Sequence, residues 1–144
     1  MRTIFSFVFI QVMTFFAITT CKGQSVYFQH YQADDGLAHN SVTSIIQDKK
    51  GFIWIGTRGG LNRFDGYTFK TYKNKNHKFG NLGNNVITAI AEDKHGMLWI
   101  GTGKGIFRYD PYKEVFSAIN IGPQSYINQL LVDSKNNIWF SSNS

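Results

Sequence analysis

The sequence predicts an all-β repeat fold, a partial β-propeller made of two complete four-stranded blades, half of a third and an N-terminal closing strand. Three observations carry this expectation. The block Asp48-Lys49-Lys50-Gly51-Phe52-Ile53-Trp54-Ile55-Gly56-Thr57 returns as Asp93-Lys94-His95-Gly96-Met97-Leu98-Trp99-Ile100-Gly101-Thr102, and a weaker copy runs from Asp133 to Ser142. Trp54, Trp99 and Trp139 stand 45 and 40 residues apart, a period that marks a propeller or a solenoid. Helical periodicity is absent, and turn signals come too often for helices of ordinary length.

The first 23 residues read as a leader outside the repeat. Arg2 precedes an apolar run from Ile4 to Ile18, broken by Gln11 and Thr14, and a polar stretch ends at Gly23. That run is shorter than the roughly 20 residues a spanning helix needs, which favours an export signal over a permanent anchor. Cleavage after Gly23 would remove Cys21, the sole cysteine of the 144-residue chain, so disulfides would not brace the mature protein. Ile18-Thr19-Thr20-Cys21 also has the outline of a lipoprotein box, which leaves lipidation of Cys21 as an alternative. The net charge is +6 and falls to +4 when Arg2 and Lys22 leave. Much of the excess lies at Lys70, Lys73, Lys75 and Lys78, and no nucleic-acid-binding motif accompanies it.

Residues 24–144 form the expected propeller domain. Segment 26–32 is expected to be an orphan closing strand, because Phe28 and Tyr31 repeat the spacing of Phe69 and Tyr72 ahead of Asn40 and Asn85 respectively. A strand of this kind can fasten a ring by pairing its two ends. The first blade spans 40–73, with strands near 42–47, 52–57, 61–64 and 67–72. The second, 85–119, repeats the arrangement, and a partial blade covers 125–142.

Within each copy the loop residues have separate tasks. Asp48, Asp93 and Asp133 head hairpin turns, where a carboxylate accepts turn amides; this explains their recurrence better than a ring of metal-binding or acid-base carboxylates. Gly51 and Gly96 close those turns in the left-handed backbone region. Asn136, which replaces glycine in the third copy, is the side chain that best tolerates it. Strand alternation sends Phe52, Trp54 and Gly56 to one sheet face and Ile53, Ile55 and Thr57 to the other. Two apolar faces suit a blade packed between neighbours, so Trp54, Trp99 and Trp139 are expected to pack between blades, with Gly56 and Gly101 on the same faces.

Catalytic and cofactor chemistry finds little support. Gly101-Thr102-Gly103-Lys104-Gly105 fails as a phosphate loop because Gly105, not Ser or Thr, follows Lys104. His30, His39, His77 and His95 lack paired metal-ligand spacing, so no metal and no cofactor is expected. Loops on a rigid scaffold commonly carry binding residues. Asn40, Arg58, Asn85 and Lys104, on leads and turns expected at one end of the blades, are therefore the candidate ligand contacts.

The residues VTSIIQDKKGFIWIGTRGGLNRFDG and ITAIAEDKHGMLWIGTGKGIFRYDP closely resemble the two-component regulator propeller repeat, as does the lead-in DDGLAHNSV. The resemblance covers residues 26 to about 142. It implies the periplasmic sensor region of a hybrid two-component system of Bacteroidetes-type bacteria, tethered to the inner membrane and working as a homodimer. It also implies a small ligand, an oligosaccharide in many relatives, and control of a cytoplasmic histidine kinase; no nucleic acid would be bound by this segment. The third copy departs from the pattern at Ser141, where glycine is expected. The alternative function is a secreted propeller enzyme or an extracellular binding protein.

Overall fold

The computed structural model describes residues 26–74 and 81–143. The chain divides between His30 and Tyr31, and the contacts below lie within the part that begins at Tyr31. A one-turn 3-10 helix, Ala33–Asp35, precedes ten strands. Strands β1 (Val42–Gln47), β2 (Ile53–Thr57), β3 (Gly60–Phe64) and β4 (Phe69–Tyr72) form the first antiparallel sheet in chain order. Strands β5 (Ile87–Glu92), β6 (Leu98–Thr102), β7 (Gly105–Asp110) and β8 (Val115–Ile119) form the second, and β9 (Tyr126–Val132) pairs with β10 (Ile138–Asn143) in a third.

The sheets share one register. Ile46 faces Trp54, Ala91 faces Trp99 and Leu131 faces Trp139 across their inner pairs. Each pair also carries a bulge at the same place, at Thr43, Thr88 and Asn128. A bulge frees one residue from the ladder and turns it aside. Thr43 uses this freedom to donate its hydroxyl to the Ile87 carbonyl of the next sheet at 2.8 Å.

The core lies between the first and second sheets. Trp54 stacks on Tyr72 with ring centres 5.6 Å apart and tilts against Tyr109 at 5.4 Å. Tyr109 in turn meets Phe116 at 4.6 Å, and the Tyr72 and Tyr109 hydroxyls lie 3.2 Å apart. Leu61, Ile87, Ile90, Leu98 and Ile100 fill the remainder. Burial pushes the Tyr109 phenol well above its ordinary pKa, with the Tyr72 hydroxyl adding to the effect, so this hydroxyl stays protonated within the cluster.

Gly56 and Gly101 make the close approach possible. A Cβ at Gly56 would lie 2.7 Å from Ile87 Cγ2, and one at Gly101 would lie 2.8 Å from Ile127 Cγ2. Each glycine is thus the seat for the next sheet's inner-strand isoleucine. The tryptophans on the same faces are covered unequally. Trp54 is 1% exposed beneath a four-stranded neighbour, whereas Trp139 is 61% exposed, because no described strand packs on the outer face of β10.

Segment 26–32 is not a strand, contrary to the sequence expectation. A strand exists through its ladder, and none of the described strands pairs with these residues. The Tyr31 ring instead packs against Phe64 at 5.1 Å and Phe69 at 5.4 Å. The chain then runs across that sheet to β1. Asn62, fully buried, accepts the Ala38 amide at 3.0 Å and donates to Thr71 Oγ1 at 2.7 Å.

Gly56→Val should overpack the isoleucine seat and cost about 1–3 kcal/mol. Gly103→Ala, whose added Cβ meets nothing nearer than 3.5 Å, should stay within about 0.5 kcal/mol of the parent. Urea midpoints would read both changes, and equal midpoints for the two variants would refute the seat.

Candidate functional site

Two ends of the sheets present loops of different chemistry. At the hairpin end, Asp48 accepts the Lys50 and Phe52 amides, both at 2.9 Å, through Oδ1, and the Trp54 indole N–H at 2.7 Å through Oδ2. Asp93 repeats this with His95 at 2.8 Å, Met97 at 3.0 Å and the Trp99 indole at 3.0 Å. Asp133 does so with Lys135 at 2.9 Å, Asn137 at 2.8 Å and the Trp139 indole at 2.9 Å. Gly51 (φ 90°), Gly96 (φ 78°) and Asn136 (φ 68°) close the three turns in the left-handed region.

The link from carboxylate to indole escaped the sequence reading, although an Asp six residues ahead of a Trp recurs in all three copies. It fixes the ring while the other carboxylate oxygen holds the turn. Burial alone would raise the pKa of Asp93, but donation by Trp99, Met97 and His95 outweighs it and the net shift is downward. At Asp133 the Trp139 indole and then Asn137 are the largest causes, and they lower the carboxyl to about 2.

Adjacent turns also hold one another. The Lys49 amide donates to Glu92 Oε2 at 3.0 Å, Lys49 Nζ donates to the Asp93 carbonyl at 2.8 Å, and the Lys94 amide donates to Asn136 Oδ1 at 2.8 Å. Lys70, one of the four clustered lysines, pairs with Glu114 at 2.7 Å with both side chains about half exposed, a geometry that adds little stability. Lys75 and Lys78 lie outside the described residues, as do the leader and His77.

At the opposite end stand the four residues singled out as ligand contacts. The Arg58 amide donates to the Ser41 carbonyl at 3.1 Å, tying the β2–β3 turn to the lead that carries Asn40. In the second sheet the Gly103 amide donates to the Val86 carbonyl at 3.0 Å, which places Lys104 beside the lead that carries Asn85. The Arg58 and Lys104 side chains are exposed. Asn40 and Asn85 have a structural duty as well: Asn40 Oδ1 accepts the Ala33 amide at 2.7 Å and Asn85 Oδ1 accepts the Asn74 amide at 2.6 Å. His39 and Asn84, which sequence reasoning did not single out, are a further matched pair. His39 Nδ1 accepts the Ser41 amide and Asn84 Oδ1 accepts the Val86 amide, both at 2.8 Å.

A separate concavity of about 630 Å³ opens along the inner strands. It is lined by the bulge residues Thr43, Thr88 and Asn128, by Gln129, and by Trp139 and Phe140 of β10. Hydroxyls and amides therefore face two exposed aromatic rings. The Thr88 hydroxyl is buried there without a hydrogen-bond partner, whereas its counterpart Thr43 reaches the next sheet. Sequence periodicity gave no hint of this, because a bulge is a break in period. Among the described residues, no cluster of three or more His, Cys, Asp or Glu could hold a metal ion, and no helix is long and apolar enough to cross a membrane.

Sheets of one register, joined through Asp-Gly-Trp hairpins and glycine seats, are the units of a propeller. Comparison with known proteins gives the family. The model for the two component regulator propeller matches residues 36–59, 81–104 and 121–144, together half of the chain. The chain belongs to this family. It is 45% identical over 64 residues to Histidine kinase P4 of Formosa agariphila, a match that covers 44% of this chain and 5% of the kinase.

Among solved structures, the extracellular domain of the hybrid two component system BT3049 from B. thetaiotaomicron superposes with a TM-score of 0.69 at 27% identity, over 78% of this chain and 17% of that one. The corresponding domain of BT4673, from the same organism, gives a TM-score of 0.65 at 25% identity, over 78% and 15% of the two chains. The chain thus spans a small fraction of the length of each of these relatives.

The Asp133 carboxyl, lowered from 3.8 to about 2, contributes stability that is full above its unfolded pKa and fades as pH falls through its folded value. Trp139→Phe removes the largest cause of that shift. An NMR titration of the Asp133 carboxyl should then show its midpoint moving up towards 3.8, and an unmoved midpoint would rule out the indole as the cause. Truncation should separate two of the tryptophans: Trp54→Ala should cost about 3–5 kcal/mol in chemical denaturation, and Trp139→Ala much less.

Proposed function

We propose that this chain is a non-catalytic, ligand-binding part of the periplasmic region of a two-component receptor. The observation that carries the proposal is the fold shared with extracellular domains of hybrid two component systems over 78% of the chain. In this role residues 1–23 direct export, and the receptor, tethered to the inner membrane and working as a dimer, controls a cytoplasmic histidine kinase.

The ligand is a saccharide or a similar nutrient. Supporting this are the hydroxyls, amides and exposed aromatic rings of the inner concavity and the polar loops around Asn40, Arg58, Asn85 and Lys104. Such a ligand drives signalling only if it binds two receptor states with different affinity. Loops that belong to neighbouring sheets suit this need, because a molecule that touches both is sensitive to their relative placement.

The test is made in the receptor that carries this segment, reading kinase autophosphorylation as oligosaccharides are added. A response is expected, and Arg58→Ala with Lys104→Ala should shift its half-maximal concentration upwards. A receptor that responds to no oligosaccharide, or a reading frame that encodes a secreted enzyme without a kinase, would refute the proposal.

A further inference from the structure

Resting on the ligand-sensing role proposed above, we propose that the loop end of the first two sheets binds an anionic group of the ligand, a carboxylate or a sulfate, through Arg58, Lys73 and Lys104.

The first support is the distribution of charge. The chain has nine carboxylate side chains, and seven of them stand at the hairpin end. Asp48, Asp93 and Asp133 hold their turns and indoles. Asp65 and Asp110 accept the amides of the β3–β4 and β7–β8 turns. Glu92 accepts from Lys49 and Glu114 pairs with Lys70. The other two, Asp34 and Asp35, sit in the 3-10 helix beside Asn40, where Asp35 is held by the Gln32 amide at 2.8 Å. Neither the β2–β3 turn nor the β6–β7 turn carries a carboxylate, yet Arg58 and Lys104 stand exposed there.

The second support is independent of net charge and concerns which hydrogen-bonding edge is left open. A backbone N–H needs an acceptor, so the amide oxygens of Asn40, Asn84 and Asn85 are the atoms turned towards the backbone. Their NH2 groups remain for other partners. His39 accepts the Ser41 amide through Nδ1, which leaves Nε2–H as the donor edge of its neutral ring. Thr57 and Thr102 spend their hydroxyls locally: each donates to the glycine carbonyl at the start of the following strand, and each accepts a turn amide. Apart from Asp34 and Asp35 of the 3-10 helix, the side chains around this end therefore offer donors and few acceptors, which is the complement of an anion.

The donors form one continuous surface. The position of a Cβ on Gly59 lies 2.8 Å from His39 Cβ, and that on Gly60 lies 3.0 Å from Lys73 Cγ, so His39 and Lys73 border the turn that holds Arg58. Asn74, next to Lys73, donates to Asn85 Oδ1 and to the Gly83 carbonyl and so reaches the second sheet. Asn84 then lies against Gly103, beside Lys104. Cations gathered on one surface raise the local concentration of anions and speed their capture.

The full chain would be titrated calorimetrically with a sulfated oligosaccharide, a uronic-acid oligosaccharide and a neutral glucan of equal length. Arg58→Ala and Lys104→Ala would be compared with Lys113→Ala at the hairpin end. The expected result is tighter binding of at least one charged sugar than of the glucan, about tenfold weaker binding in either loop variant, no change in Lys113→Ala, and weakening by salt. Which charged sugar binds identifies the anion as sulfate or carboxylate. Equal affinity for the neutral glucan, or charged-sugar binding that survives both loop substitutions, would overturn the inference and leave the sensing role standing. Binding lost equally in Lys113→Ala would also overturn it, since attraction would then follow total charge rather than this surface. The autophosphorylation assay reads the sensing role separately.

Discussion

Ile87 can rest on β2 only because residue 56 has no side chain, and Ile127 on β6 only because residue 101 has none. From this steric constraint the rest of the assembly follows. Once the inner strands approach so closely, the indole two residues before the glycine is brought against the next sheet, and Trp54 becomes part of a cluster with Tyr72, Tyr109 and Phe116. A buried indole N–H needs an acceptor. The hairpin aspartate supplies one with its second oxygen, so turn geometry and inter-sheet packing are coupled through one carboxylate. Loss of the glycine would part the sheets, and loss of the aspartate would leave a buried donor unpaired.

The sequence disclosed this architecture to the degree that it is periodic. Seven of ten positions recur in order between the first two copies and identify the hairpin, its turn glycine and the packing tryptophan, because each copy must solve the same steric problem. What recurs without an obvious chemical label is harder to read. His39 and Asn84 share no side-chain type, yet both present an acceptor to the amide two residues on. The bulge residues Thr43, Thr88 and Asn128 do not stand out by composition, and a bulge is defined by the partner strand rather than by its own residue.

The closing strand expected at 26–32 shows the opposite failure. Its aromatic spacing copied that of β4, but periodicity reports only that a segment can present two rings to one side, not what receives them. Tyr31 finds Phe64 and Phe69 on the first sheet itself, and tilted and edge-on ring contacts there need no ladder. A segment becomes a strand when its amides find an edge, and an edge belongs to another part of the chain. Asn62 was equally invisible, since a buried polar residue gains meaning only from the lead that it satisfies.

The way each end of the sheets is capped also explains its charge. Hairpin turns with several amides pointing to one place are best served by an acceptor with two oxygens and a negative charge, so carboxylates collect at that end and lysines gather around them. The leads at the other end each need one amide satisfied, at Ser41 and Val86 and at Ala33 and Asn74. A neutral asparagine or histidine suffices for each, and it turns its acceptor inwards. Backbone demand at the turns and leads therefore fixes acceptors at one end and turns donors outwards at the other, where Asp34 and Asp35 are the remaining carboxylates. Evolution of a binding surface for anions then requires few substitutions: cations placed in turns whose carboxylates were never needed, as Arg58 and Lys104 are.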